Sequence, residues 1–251
     1  MIYFVDENRF TDLKSFCTIQ TIYSCRIMCL VESYGLKFDF VQFWLQYDEN
    51  NSITSAISKY DNAVTVQTTE NSDISELTEF LEIIGFGSVL SDTAFFDNRK
   101  TTDGIIMELV NPQRKAASNA EIIVNPDSNE VYKLLTECQS ERFIVPKYED
   151  FLLDMSHKIR HDTALCVVVR NNRELVSTAM TVAQSKNTAI IGAVATVPQF
   201  RKCGFGGIAV MSLAEMLKNR KIFIMRSKDE NENFYKSLGF ENKGKFIISE
   251  S

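Results

Sequence analysis

The chain has 251 residues, 45% of them hydrophobic and 24% charged, with a net charge of −6. That describes a globular protein with room for one large core or two small ones. Four prolines are too few for disordered linkers, no apolar run reaches bilayer-crossing length, and the negative balance works against nucleic acid or an anionic membrane surface as partner.

The N-terminal stretch MIYFVDENRFTDLK has no basic start followed by an apolar core. No signal peptide is expected, and a cytoplasmic location is the default. Residues 11–34 read as one helix, with Leu13, Phe16, Cys17, Ile19, Ile27, Cys29 and Leu30 as its apolar positions. FDFVQFWLQY is strand-like and runs into the turn residues Asp48 to Asn51. SITSAISKY and AVTVQTT are two more strands, parted by Asp61-Asn62. Next comes a helix capped by Ser72 or Asp73, with Ile74, Leu77, Phe80, Leu81 and Ile84 on its apolar face and Gly85 as its stop. GIIMELV is a further strand.

From about Ser118 the pattern restarts. NPDSNEVYKLLTECQ is a helix capped near Asp127 or Ser128, and KYEDFLLDMSHKIRHD is a second. Residues 164–197 form a three-strand meander with turns at Asn171-Asn172 and Lys186-Asn187. A glycine-rich turn, the helix GIAVMSLAEMLKNR, the strand KIFIMR, the helix ENENFYKSLGF and the strand GKFIIS complete the chain. The second half is thus α-α-β-β-β-α-β-α-β. A meander followed by two β-α crossings makes an α/β (α+β) fold, its mixed, mainly antiparallel sheet flanked by helices. FLEIIGF (80–86) and FYKSLGF (234–240) both end a helix on Gly-Phe. That parallel, with the shared order of preceding elements, points to an internal duplication: residues 1–118 and residues 119–251. Nothing in the first half matches the turn RKCGFGG.

That turn concentrates Gly204, Gly206 and Gly207, three of the chain's 10 glycines, where a helix starts. The first N–H groups of a helix lack internal partners and carry the positive end of its dipole. Uncovered by side chains, they make an anion cradle suited to phosphate, and Arg201 and Lys202 add cationic charge at the rim. The ending GKS or GKT of a Walker loop is absent, and so is the dinucleotide pattern G-x-G-x-x-G.

The stretch VATVPQFRKCGFGG resembles motif A of the GNAT superfamily of acyl-CoA-dependent N-acyltransferases: an apolar strand, a proline, then R-x-x-G-x-G filled by Arg201, Gly204 and Gly206. NFYKSLGFE resembles the second signature of that family, at the expected distance downstream. The resemblance covers residues 119–251 well and the first half in outline, so the fold expected is GNAT-like and duplicated, with a degenerate first half. It implies that the coenzyme A pyrophosphate sits on the backbone of Lys202, Cys203, Gly204, Phe205, Gly206 and Gly207. It implies that the pantetheine arm lies along Val194, Ala195 and Thr196, on a strand that splays from its neighbour. The resemblance also implies that a strand N–H there polarises the thioester carbonyl and that Tyr235, by analogy, protonates the departing thiolate. Many members carry an asparagine seven residues before that tyrosine. Here the position is Lys228; either Asn231 or Asn233 substitutes, or the contact is missing.

Each assignment has a plainer alternative. Tyr235 can be a packing residue. Cys203 can be a nucleophile with a lowered pKa at a helix start, but no histidine is near it in sequence and it is taken as structural. His157 and His161 have the spacing of a helical zinc pair, yet Lys158 replaces the glutamate of H-E-x-x-H; they are expected on a solvated helix face. Cys25 and Cys29 are read as small apolar fillers, and Phe43 and Trp44 as core. No carboxylate stands out as general base, and no metal is expected. The function expected is transfer of acetyl from acetyl-CoA to a primary amine on a small molecule or peptide, with no nucleic acid or membrane partner and a homodimer allowed. The rivals are a non-catalytic acyl-CoA sensor and a protein-directed acetyltransferase that docks its target with the first half.

Overall fold

A computed structural model describes residues 1–113, 120–141 and 143–251. The chain forms two compact units: Met1–Ile106 with Arg226–Lys228 and Lys243–Ser251, and Met107–Met225 with Asp229–Asn242. The boundary expected at 118/119 lies outside the described residues. A contiguous cut there also differs from these units, because residues 243–251 group with the first.

The first unit runs β1 (Ile2–Phe4), α1 (Phe10–Phe16), α2 (Ile22–Tyr34), β2 (Val41–Tyr47), β3 (Ile53–Tyr60), β4 (Ala63–Gln67), α3 (Ile74–Ile84) and β5 (Ser88–Ser91). β6 (Thr101–Leu109) follows, and the division between the units falls inside it. The helix expected over 11–34 is therefore two helices. Thr21 takes an extended conformation and its hydroxyl accepts the N–H of Ser24, which starts α2 anew. The hydroxyl of Thr21 also donates to Gln67, which holds the break against β4. α3 is as read: the Asp73 carboxylate accepts from the N–H of Glu76, and Gly85 ends the helix.

The alternation of β2 divides the core. Val41, Phe43 and Leu45 face α1 and α2, while Trp44 packs with Leu77 and Leu81 of α3 on the opposite face. Phe43 and Trp44 are core residues, as expected.

The second unit runs β7 (Glu121–Val124), α4 (Ser128–Glu137), α5 (Tyr148–Arg160), β8 (Cys166–Asn171), β9 (Glu174–Gln184), β10 (Thr188–Thr196), α6 (Phe205–Met216), β11 (Lys221–Ser227) up to Met225 and α7 (Glu232–Lys236). The last strand, β12 (Phe240–Glu250), begins in this unit and groups with the first from Lys243 onward. Asp127 caps α4 by accepting the N–H of Asn129 at 2.7 Å. Val131, Leu134, Phe151 and Met155 from α4 and α5 cover Cys166, Val168 and Met180, and α6 packs across β8, β9 and β10. The helix expected over 230–240 shrinks to α7, and the terminal strand is longer than GKFIIS.

β1, β5 and β7 were not anticipated. At three or four residues each they are too short to display an alternating pattern. With them the duplication becomes explicit. In the first unit β1/β2, β2/β3 and β3/β4 are antiparallel and β4/β5 is parallel across α3. In the second, β7/β8, β8/β9 and β9/β10 are antiparallel and β10/β11 is parallel across α6. The counterpart of α3 is thus α6, not α7. This corrects the pairing of FLEIIGF with FYKSLGF: two helix ends with a common glycine stop looked alike although they occupy different places in the repeat.

Candidate active site

The site is built where β10 leaves the sheet. Against β9 its register is Gly192 opposite Met180, then Ala195 opposite Thr178. Three steps on β10 face two on β9, so one extra residue is accommodated, and Ala193 takes φ 45° there. Such a bulge bends its strand and breaks the ladder. On the other side, β10 pairs with β11 only from Thr188 to Ile191. Pairing stops where the bulge begins, and the remainder of β10 presents an open edge.

The direction of the polar groups on that edge follows from the ladder. Val197 donates its N–H to the carbonyl of Val176 at 3.0 Å, toward β9. Alternation turns the N–H and C=O of Thr196 the other way, and the Thr196 carbonyl accepts from Arg201 Nε at 3.1 Å. Ala195 is buried, and its carbonyl accepts from the hydroxyl of Ser177 on β9 at 2.9 Å. Of Val194, Ala195 and Thr196, then, Ala195 is turned toward β9.

After β10 the chain makes a single 3₁₀ turn over Pro198–Phe200 and reverses into α6. Lys202 and Gly204 both take left-handed conformations, φ 62° and 89°. Gly204 is the N-cap of α6, and no side chain caps that helix. A Cβ on Gly204 would meet nothing within 4 Å, whereas one on Gly206 would lie 3.2 Å from Thr196 Oγ1 and 3.6 Å from the Phe234 ring. The first intrahelical bond is from Ile208 to Gly204. Phe205, Gly206 and Gly207 therefore start α6 with N–H groups that the helix does not use, and its first turn carries no acidic residue. Arg201, Lys202 and Cys203 are exposed around it. An exposed helix start with unused N–H groups and two cationic side chains beside it makes a seat that fits a phosphate group.

α7 borders the seat through Phe234. Tyr235 is 9% exposed and lies edge-on to Phe234 and Phe240 at 4.9 and 5.6 Å. Burial pushes its phenol up to about 12, so it keeps its proton at any working pH. Among the described residues no group takes a hydrogen bond from that hydroxyl. Asn231 is exposed at φ 58° and caps α7 with its backbone alone, its carbonyl accepting from the N–H of Tyr235 at 3.0 Å. Lys228 leans on Asp103 at 3.6 Å.

Of the remaining candidates, Cys203 belongs to the turn itself. Cys203 is exposed and points its thiol at the carbonyl of Arg201. The other five cysteines are buried, Cys25 and Cys29 among them. The rings of His157 and His161 lie 4.4 Å apart at the end of α5. The residue that sequence reasoning missed is Ser177, fully buried on β9 with its Oγ 2.8 Å from Thr196 Oγ1. A lone serine in a strand carries no sequence signal; only the register places it opposite Thr196.

Residues 128–240 match the family model of the acetyltransferase (GNAT) family. No match is found among curated proteins. Solved structures resemble the whole chain at low identity. A GNAT-family acetyltransferase from Colwellia psychrerythraea is 9% identical with a TM-score of 0.59, over 100% of this chain and 99% of its own. A Drosophila protein is 12% identical with a TM-score of 0.68, over 100% and 98%. A tandem GNAT protein of the clavulanic acid biosynthesis pathway is 10% identical with a TM-score of 0.61, over 100% and 98%. At these identities the likeness establishes the fold: mixed α/β, GNAT-like and duplicated. Among the described residues no helix is long and apolar enough to cross a membrane.

Proposed function

We propose, from the premise that residues 128–240 are a GNAT acetyltransferase domain, that the chain transfers acetyl from acetyl-CoA to a primary amine. One observation carries the reading: a single segment, 192–207, holds both an open strand edge and a helix start with unclaimed N–H groups. The two recognise the two ends of one extended ligand, a chain of amides tipped by a pyrophosphate. The seat formed by Lys202 to Gly207 takes the pyrophosphate, and Lys202 and Arg201 add charge at its rim. The Thr196 N–H, on the open edge, takes an amide of the arm, as an added strand would. Acetyl-CoA supplies the thioester carbonyl that the amine attacks. The backbone at the Ala193 bulge, which falls outside the β9 register, supplies a donor for the oxygen as charge develops on it. Tyr235 holds the proton that the departing thiolate needs.

The experiment is release of free CoA thiol from acetyl-CoA by the purified chain, with amino acids, polyamines, aminoglycosides and peptides as acceptors. Thiol release dependent on one amine class is the expected result. A non-catalytic acyl-CoA sensor is the second reading, favoured by Lys228 where a pantetheine-contacting asparagine is common. Tight CoA binding with no amine-dependent release would move the sensor ahead of the enzyme.

The first unit is expected not to bind the donor. Its counterpart of the seat, the start of α3, is closed by its own side chains. The Asp73 carboxylate accepts from Glu76 N–H at 3.0 Å, and Gln46 Oε1 accepts from Asp73 N–H at 3.1 Å. The carboxylates of Asp73 and Glu76 put negative charge where a phosphate would have to sit. Calorimetric titration of the full chain should therefore find one CoA per chain; a stoichiometry of two would sink this expectation.

A further inference from the structure

We infer that Ser177 is a positioning residue for the open edge of β10, and through it for the acyl donor; the inference rests on the reading of that edge given above. Ser177 is fully buried, yet its hydroxyl has no structural partner on its own strand. It has one hydrogen, and the Ala195 carbonyl accepts it at 2.9 Å. The contact of 2.8 Å to Thr196 Oγ1 is then a bond that Thr196 donates to Ser177.

The placement has a geometric reason. Thr196 and Ser177 are directly opposite in a pair without mutual backbone bonds, the kind that brings side chains closest. The bulge has just taken Ala193 and Val194 out of register. The strand must be caught again before it enters the turn, and Ser177 grips it at two successive residues. Thr196 passes the constraint on. Its carbonyl is held by Arg201, and its Oγ1 lies against Gly206 at the first turn of α6. One buried hydroxyl thus sets the spacing between the strand edge that takes the arm and the helix start that takes the phosphates. A ligand bound at both ends is sensitive to that spacing, because a preorganised pair of subsites spares it the ordering cost.

Ser177→Ala should raise the dissociation constant for CoA and the KM for acetyl-CoA about tenfold, with kcat at saturating donor changed less than about twofold. Ser177→Cys fills the same space with a poor donor and should move both constants in the same direction. Thr178→Val is the control. It deletes the neighbouring buried hydroxyl, which bonds to the Val167 carbonyl at 3.1 Å on β8, and should lower the melting temperature without changing CoA affinity. A merely structural Ser177 would behave like Thr178, with stability lost and the dissociation constant unmoved; that result overturns the inference, as does a fall in kcat with affinity intact. If the wild type takes up no CoA, the reading of the edge fails and this inference with it. If the wild type binds CoA and both Ser177 variants match it, the inference alone fails.

Discussion

On the proposed reading, Tyr235→Phe should lower kcat for acetyl transfer about 10²- to 10⁴-fold, the range for loss of one general acid, and leave the CoA dissociation constant within about twofold. The ring is what packs: it meets Phe234 and Phe240 edge-on, and phenylalanine keeps both contacts. The hydroxyl contributes nothing to packing that a described residue would miss. Burial raises the phenol to about 12, which at first sight makes it a poor acid for a thiolate whose thiol titrates near about 8.5 in water. A thiol brought beside Tyr235, as the proposed function requires, would be raised by the same apolar surroundings, because desolvation penalises either anion. The gap between the two, about 1.5 units in water, governs the transfer. The raised phenol also keeps its proton throughout the working range, so the loss should be constant between pH 6 and 9, a span of about three units below any Tyr235 titration. Steady-state kinetics with saturating amine measure kcat, and calorimetry measures CoA affinity. Unchanged turnover would reduce Tyr235 to a packing residue. A collapse of CoA affinity would make its hydroxyl a ligand contact instead.

Acetyl-CoA is expected to raise the melting temperature, and Gly204→Val and Gly206→Val should each abolish that rise. A ligand at 100 times its dissociation constant stabilises a protein by about 2.7 kcal/mol, which for a chain of this size is a shift of roughly 5–10 °C. The two substitutions remove it by different routes. Gly204 sits at φ 89°, where a β-branched residue is strained by on the order of 1–3 kcal/mol. Relief of that strain rotates the N-cap and swings the N–H groups away from the seat. Gly206 has no such strain, but its Cβ would stand 3.2 Å from Thr196 Oγ1, and the two methyls of valine beyond it fill the approach to the helix start. Differential scanning calorimetry with and without acetyl-CoA separates lost binding from lost stability. Cooperative unfolding with no ligand shift is the expected pattern. A full shift in both variants would mean that the phosphates bind elsewhere.

Much of this protein is legible in its sequence because the information is local. Asp73 and Gly85 mark the ends of α3 by a side-chain cap and a positive φ, which depend on neighbours within one turn. The glycine turn is legible for the same reason: the start of α6 at Gly204 to Gly207 is a property of four consecutive residues. Helix 11–34 was misread where two non-local facts intervened, the cap at Thr21 and its bond to Gln67 on β4. The short strands β1, β5 and β7 carry too few residues for a period and exist because a longer strand lies beside them. That β10 separates from β11 after Ile191, and that α3 answers to α6 rather than α7, are matters of register and crossover. Ser177 belongs to the same class: its hydroxyl means nothing until the ladder brings Thr196 opposite to it. Caps, turns and helix faces are determined within a few residues of chain. Which strand edge stays open, and what holds it there, is decided by pairings between residues far apart in sequence, and those only the folded chain makes.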